Sequence, residues 1–179
     1  MRKLLEYVDA ANIDLKFISD DLYQRICSGT LEPVQEALVL AKASGIQVEV
    51  TNLIIPTLND KDEQIRELSR WVKANLGGET PLHFSGFTPR HKMQHLPPTS
   101  LETLETAREI AVSEGLDYVY IGNVRSKEGE NTYCPGWDPA KRQDCKSLLI
   151  ERKGYFILQN RLKDGRCPDC NKEIYGVWK

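Results

Sequence analysis

The stretch Ile46-Gln47-Val48-Glu49-Val50-Thr51-Asn52-Leu53-Ile54-Ile55-Pro56 decides how this chain reads. Apolar and polar residues alternate from Ile46 to Val50 and then run together through Leu53-Ile54-Ile55, the pattern of a strand that Pro56 closes. On both sides the period changes to that of a helix. Upstream, Val34, Leu38 and Ala41 share one face of the segment from Thr30 to Ser44, and Gly45 stops it. Downstream, Ile65, Leu68, Val72 and Leu76 recur at helical spacing. Asn59 or Asp60 is placed to accept the first backbone N–H groups there, and Gly77 to take the left-handed position past the end. A strand set between two amphipathic helices predicts an α/β chain.

The alternation continues outward. Val8 to Asp14 ends a strand, and Ser19 opens a short helix through Ile26. Leu82 to Phe87 is a strand, and Thr99 and Glu102 have capping-box spacing ahead of a helix carrying Leu101, Leu104, Ala107, Ile110 and Ala111 up to Gly115. Tyr118 to Val124 is a last strand. Four strands joined by helical crossovers predict a parallel sheet with right-handed connections. A length of 179 residues suits one domain and a small appendage. The net charge of -2 supplies no general attraction for nucleic acid or an anionic membrane. No run approaches the ~18 to 20 apolar residues of a membrane span, and Met1-Arg2-Lys3 opens no signal-like stretch, so a cytoplasmic protein is expected.

In such sheets, chemistry gathers where strands end on their carboxyl side. Asp14 and Lys16, two apart, project from one face if the strand continues, with Asn12 beside them. The other strands end near Thr51-Asn52, Phe87-Thr88-Pro89 and Gly122-Asn123-Val124. From spacing alone, Asp14 and Lys16 also read as an exposed ion pair of little consequence for stability. His91 and His95 read as loop histidines, and His83 as a satisfied core or edge residue.

The cysteines point elsewhere. Four of the five lie toward the end of the chain: Cys134, Cys145 and the pair Cys167-Pro168-Asp169-Cys170. Two residues between cysteines let both thiolates reach one tetrahedral ion, and a second pair about twenty residues away completes a structural zinc site. Cys27, the fifth, reads as a small buried apolar residue. The tail's basic residues are interleaved with acids, so a nucleic-acid-binding ribbon is the third-ranked reading.

The series Asn12-Ile13-Asp14-Leu15-Lys16, Leu53-Ile54-Ile55-Pro56 with Asn59-Asp60, Tyr118 to Val124, Gly129-Glu130-Asn131-Thr132-Tyr133-Cys134-Pro135, Leu149-Ile150-Glu151-Arg152 and Asn160 to Pro168 resembles the radical SAM protein of the AmmeMemoRadiSam system, a relative of the pyruvate formate-lyase activating enzymes. The resemblance covers essentially the whole chain. It implies a partial (βα) barrel, here its carboxyl-terminal half at residues 1–124, followed by a zinc-ribbon-like tail at 125–179. It further implies a 4Fe-4S cluster that reduces S-adenosylmethionine to a 5'-deoxyadenosyl radical, which abstracts hydrogen from a substrate. The Cys-x3-Cys-x2-Cys loop that holds that cluster is not in this sequence, and catalytic residues are not assignable.

By the same resemblance, Asp14, Lys16, Thr88 and Asn123 fall on cofactor-contacting positions, with Thr88 where relatives carry a histidine. In the tail, Trp137 occupies the place of the first knuckle's second cysteine. The segment Asp138 to Asp144 reads as an insertion that delivers Cys145 instead, giving Cys134, Cys145, Cys167 and Cys170 as the zinc set; otherwise Cys145 is a free thiol. The expected partner is a polypeptide carrying the other half barrel, or a second copy associating through the exposed sheet edge near Val8 to Ile13. The competing reading is a non-catalytic zinc-binding scaffold or interaction module.

Overall fold

The computed structural model describes residues 2–138 and 140–178. Four strands, β1 (Ala10–Asp14), β2 (Gln47–Ile54), β3 (Leu82–Gly86) and β4 (Val119–Gly122), form one sheet in that order with every neighbouring pair parallel. A short helix α1 (Arg2–Leu5) precedes β1, and α2 (Asp20–Leu22) runs into a single π-helical turn, Tyr23–Cys27. The three crossovers carry α3 (Glu32–Ala43), α4 (Asp62–Leu76) and α5 (Leu101–Ser113).

Alternation along the strands sorts their side chains. Val48, Val50, Asn52 and Ile54 of β2 are buried, while Gln47, Glu49, Thr51 and Leu53 are half-buried on the opposite face. β3 buries Leu82, Phe84 and Gly86 and turns His83 and Ser85 the other way. The buried face meets the apolar stripes of the helices, Leu38 and Ala41 of α3, Ile65, Leu68, Val72 and Leu76 of α4, and Leu104, Ala107, Ile110 and Ala111 of α5. A parallel sheet covered on both faces has nearly continuous apolar strands. Here the polar alternate positions mark a face that no helix layer covers among the described residues.

Several ends differ from expectation, each because a side chain finds a better use. The N-cap of α5 is Ser100, whose hydroxyl accepts from Thr103 N–H at 3.1 Å. Thr99 instead lies buried, donating to Ile54 C=O at 2.6 Å and accepting Phe87 N–H at 2.9 Å, so it ties the ends of β2 and β3 together. Asn59 and Asp60 do not cap α4. They close the turn before it, accepting from Ile55 N–H at 2.7 Å and Thr57 N–H at 2.9 Å, and the helix begins after Lys61. Gly77 has φ 96° and ψ 151°, a conformation outside the left-handed helical region that only glycine adopts without strain. Cys27 is exposed at the end of the π-helical turn rather than buried.

The tail contains β5 (Thr132–Tyr133), the hairpin strands β6 (Trp137–Asp138) and β7 (Gln143–Asp144), and β8 (Leu148–Lys153) with β9 (Phe156–Asn160). β5, β8 and β9 form an antiparallel sheet in that order. Its small core of Leu149, Ile150, Cys134, Cys167 and Ile174 includes Tyr118, from the body. Tyr175 fastens the tail to the body: its hydroxyl accepts from Val48 N–H at 3.2 Å and Lys42 Nζ at 3.3 Å, while Lys42 also reaches Glu79 at 2.8 Å. A second attachment follows β4, where Ile121 N–H donates to Gly129 C=O at 2.8 Å and Tyr120 and Thr132 hydroxyls meet at 2.9 Å.

Candidate functional site

The loop leaving β1 is held from beneath by buried polar groups. Leu15 and Phe17 point into the core, so Asp14 and Lys16, which alternate with them, project the other way, 2.9 Å apart as an ion pair and both partly exposed. Asn52, buried in β2, donates to Leu15 C=O at 2.8 Å and Lys16 C=O at 3.1 Å; Asn59 donates to Lys16 C=O at 3.2 Å and Leu53 C=O at 3.0 Å. Lys16 N–H donates to the hydroxyl of Tyr23, whose ionisation burial opposes. Backbone groups fixed on both sides give the Lys16 ammonium a defined origin at the carboxyl end of the sheet. Such buried amides are stable only when fully paired, which makes this loop intolerant of slippage.

A polar row crosses the open face just below. Thr51 donates to Asn12 Oδ1 at 2.8 Å, and Glu49 Oε2 lies 3.0 Å from His83 Nε2. The His83 ring stacks on Tyr120 at a centroid distance of 5.0 Å and 25° between planes, and Arg152 sits 5.8 Å from the centre of the Tyr120 ring. The hydrogen bond to His83 holds the Glu49 carboxyl below the usual carboxylate range, against burial. His83 is therefore partnered, as a satisfied residue would be, but with its side chain on the same sheet face as Asn12 and Asp14. Sequence reasoning missed this row and the Asn52 clamp. Their signal was present as polar residues at every second position of β2, Gln47, Glu49, Thr51, and one amide on its apolar side.

Thr88 and Asn123 stand just past the ends of β3 and β4, both exposed. Asn123 adopts φ 62°, and its amide lies 3.5 Å from Gly86 C=O, bracing the ends of β3 and β4 against each other. Asp14, Thr88 and Asn123 thus share the carboxyl edge of one sheet. His91 also has positive φ, 50°, and is exposed in a single turn of 3-10 helix, His91–Met93.

The four tail cysteines converge. Their sulfur atoms all lie within 4.8 Å of one another, with Cys134 and Cys170 at 3.4 Å and Cys145 and Cys167 at 3.7 Å. Tetrahedral zinc with Zn–S near ~2.3 Å needs sulfurs about 3.8 Å apart, so the set fits such an ion. Each sulfur is also met by the backbone N–H two residues on, from Gly136, Ser147, Asp169 and Lys172. That repeated contact is what stabilises thiolate charge in a metal knuckle. Burial opposes ionisation of Cys145, but hydrogen bonds from the Ser147 hydroxyl and N–H and from the Cys170 and Cys167 thiols together outweigh it and lower the thiol to about 7; burial pushes Cys134 up. The β6–β7 hairpin is the insertion, closed at its base where Cys145 N–H donates to Gly136 C=O at 2.7 Å. A Cβ at Gly136 would stand 2.9 Å from Cys170 Sγ and 2.8 Å from Lys172 Cβ, so glycine is required for the two knuckles to close on each other.

With this geometry in hand, comparisons with known proteins fix the fold. No family model matches the sequence. An uncharacterized protein of Methanocaldococcus jannaschii is 49% identical over 169 residues, 93% of this chain and 48% of that protein. The chain therefore spans about half the length of that relative. The pyruvate formate-lyase-activating enzyme of Clostridium pasteurianum is 30% identical over 71 residues, 40% of this chain and 30% of the enzyme. A domain of pyruvate-formate lyase-activating enzyme from Bacteroides vulgatus superposes with a TM-score of 0.57 at 17% identity, covering 68% of this chain and 72% of that one. The chain shares the fold of that activating-enzyme domain. The α/β half barrel of parallel strands expected from the sequence is the architecture observed, with a cysteine cluster able to hold a metal ion in its tail. Among the described residues, no helix is long and apolar enough to cross a membrane.

Proposed function

We propose that this chain is the carboxyl-terminal, cofactor-binding half of a radical S-adenosylmethionine enzyme of the AmmeMemoRadiSam type, with a tail folded around zinc. One observation carries the reading: Asp14 and Lys16 are presented by a buried clamp at the carboxyl end of a parallel sheet that has an activating-enzyme fold. The Lys16 ammonium suits the carboxylate of the cofactor's methionyl part, and Asp14 suits ribose hydroxyls or a cationic centre. Thr88 and Asn123, on the next strand ends, offer a hydroxyl and an amide to the same ligand. S-adenosylmethionine supplies radical chemistry when a 4Fe-4S cluster reduces it. Residues 1–179 contain no Cys-x3-Cys-x2-Cys segment, so in this reading the cluster ligands lie outside them, on a part that completes the barrel along the free edge of β1.

A half-site leaves much of a nucleoside in water, so S-adenosylmethionine binding by the chain alone is weak, with a dissociation constant on the order of 1 mM. Titration followed by NMR tests the reading: perturbation at Asp14, Lys16 and Asn123 that disappears in Lys16→Ala supports it. Binding that is absent, or unchanged in Lys16→Ala, overturns it in favour of the zinc-binding scaffold, a reading that exposed Thr88 in a histidine's place favours. Anaerobic incubation with iron, sulfide, reductant and S-adenosylmethionine yields no 5'-deoxyadenosine from the chain alone. Catalytic release of that nucleoside would overturn the assignment of the tail cysteines to zinc.

A further inference from the structure

Beside the carboxyl end of β4 the chain folds a groove of about 850 Å³ between the loop from Arg125 to Lys127 and the β8–β9 hairpin. Its charge is one-sided. Arg125, Lys127, Arg152 and Lys153 line it, and none of the four has a carboxylate partner among the described residues. Elsewhere Arg25, Arg66, Arg70, Arg161 and Arg166 each hold a carboxylate at 3.1 Å or less. Of the two acids in the groove, Glu130 already accepts the Gly154 N–H at 2.6 Å, which leaves Glu151. A cleft lined by an excess of one charge draws in ions of the opposite sign.

The walls are tied to each other, so the groove exists before any ligand arrives. Buried Asn131 donates to Lys127 C=O at 3.1 Å and accepts from Arg152 N–H at 2.7 Å, which fixes the loop against β8. Arg152 Nη1 donates to Thr132 Oγ1 at 2.7 Å and Glu130 C=O at 3.2 Å. The half-buried guanidinium is thus held by one nitrogen, and Nε and Nη2 make no bond among the described residues. The hairpin adds apolar surface, since Phe156 and Leu158 line the groove while 75% and 58% exposed.

We propose that this groove binds an oxyanion carried on an apolar body, a phosphate ester or a carboxylate of small-molecule size. A planar guanidinium matches either group with two parallel N–H bonds, and Arg125 and Lys127 add charge from the facing wall. Phe156 and Leu158 cover the apolar part. The volume lies within the range of about 300–1,000 Å³ that small-molecule sites occupy. Position links the groove to the candidate site: Arg125 follows Asn123 by two residues at the same carboxyl edge, and Arg152 lies 5.8 Å from the centre of the Tyr120 ring on the open face. That this ligand is the substrate of the radical reaction rests on the cofactor reading; that the groove binds it does not.

NMR titration of the zinc-loaded chain with phenyl phosphate, phenylacetate and uncharged benzyl alcohol tests it. Phenyl phosphate or phenylacetate should shift the amides of Lys127, Arg152 and Gly154 with a dissociation constant on the order of 1 mM, and benzyl alcohol should bind at least about 10-fold more weakly. The tighter of the two anions identifies the oxyanion. Arg125→Gln combined with Lys127→Gln, at two exposed side chains, should weaken anion binding about 5- to 10-fold, and about 0.5 M salt should do the same. No shift at these amides, benzyl alcohol bound as tightly as the anions, or an affinity unchanged by the double substitution overturns the proposal. S-adenosylmethionine is followed separately at Asp14, Lys16 and Asn123, so loss of one binding leaves the other measurable and shows which reading has failed.

Discussion

Glu49 shows how a single residue reports on the open face. It sits in the middle of β2, where an apolar residue would be expected if both faces were covered, and its carboxylate is bonded to His83 at 3.0 Å. Hydrogen bonding from His83 lowers its pKa, with Asn12 and Gln47 adding to the effect against burial. A carboxylate lowered on folding contributes stability that is complete above its unfolded value of about 4.3 and is lost as pH falls through the folded value. Its side chain is 34% exposed, so solvent screening keeps the contribution below about 1 kcal/mol. The stability difference between the parent and Glu49→Gln, from urea unfolding, should be largest near neutral pH and shrink toward zero below about pH 4. A difference that stays flat through the acid range would mean that the Glu49–His83 bond contributes nothing to the fold.

At the scale of elements, the β6–β7 hairpin changes how the first knuckle is built. Cys134 and Cys145 are far apart for a knuckle pair, yet Cys134 N–H donates to Ser147 C=O at 2.9 Å and Cys145 N–H to Gly136 C=O at 2.7 Å. The backbone beneath the hairpin is thereby closed as tightly as in a short knuckle. Loop-closure entropy grows only logarithmically, so the insertion costs little. Cys145→Ser should therefore reduce zinc affinity by more than the ~10- to 100-fold that loss of an outer contact brings, measured by competition with a chromophoric chelator. Affinity equal to the parent's would make Cys145 a bystander and leave three ligands. Cys27 belongs to this scale too. Its exposure follows from the π-helical turn, which ends at Ser28 in a left-handed conformation, φ 55°.

The whole molecule is two cores joined by a few polar bonds. The larger lies between the sheet and α3, α4 and α5, and the smaller includes the four cysteines placed to hold a metal ion. All helices among the described residues lie in the first 113 positions. Metal removal by a chelator should thus abolish the near-ultraviolet signal of Trp178, whose indole N–H donates to Ile174 C=O at 2.8 Å, while helical circular dichroism is retained. Simultaneous loss of the helical signal would show instead that the Lys42, Glu79 and Tyr175 attachment makes both cores one cooperative unit.

The α/β alternation, the parallel order and the cysteine set were legible in the sequence because each rests on a local period or spacing: two along Ile46 to Val50, 3.6 from Ile65 to Leu76, and two residues between Cys167 and Cys170. Asp14 and Lys16 were singled out by resemblance, and the structure shows them as an ion pair at the carboxyl end of β1. What depended on distance in sequence was not. Asn52, Asn59 and Tyr23 meet at the Lys16 backbone from three elements, Glu49 finds His83 across a strand boundary, and Thr99 leaves its expected cap to bridge two strand ends. Polar side chains satisfy whichever backbone group the fold brings within reach, and burial makes that choice compulsory. Only the tertiary structure could therefore decide which amides and hydroxyls build the site and which merely cap a helix.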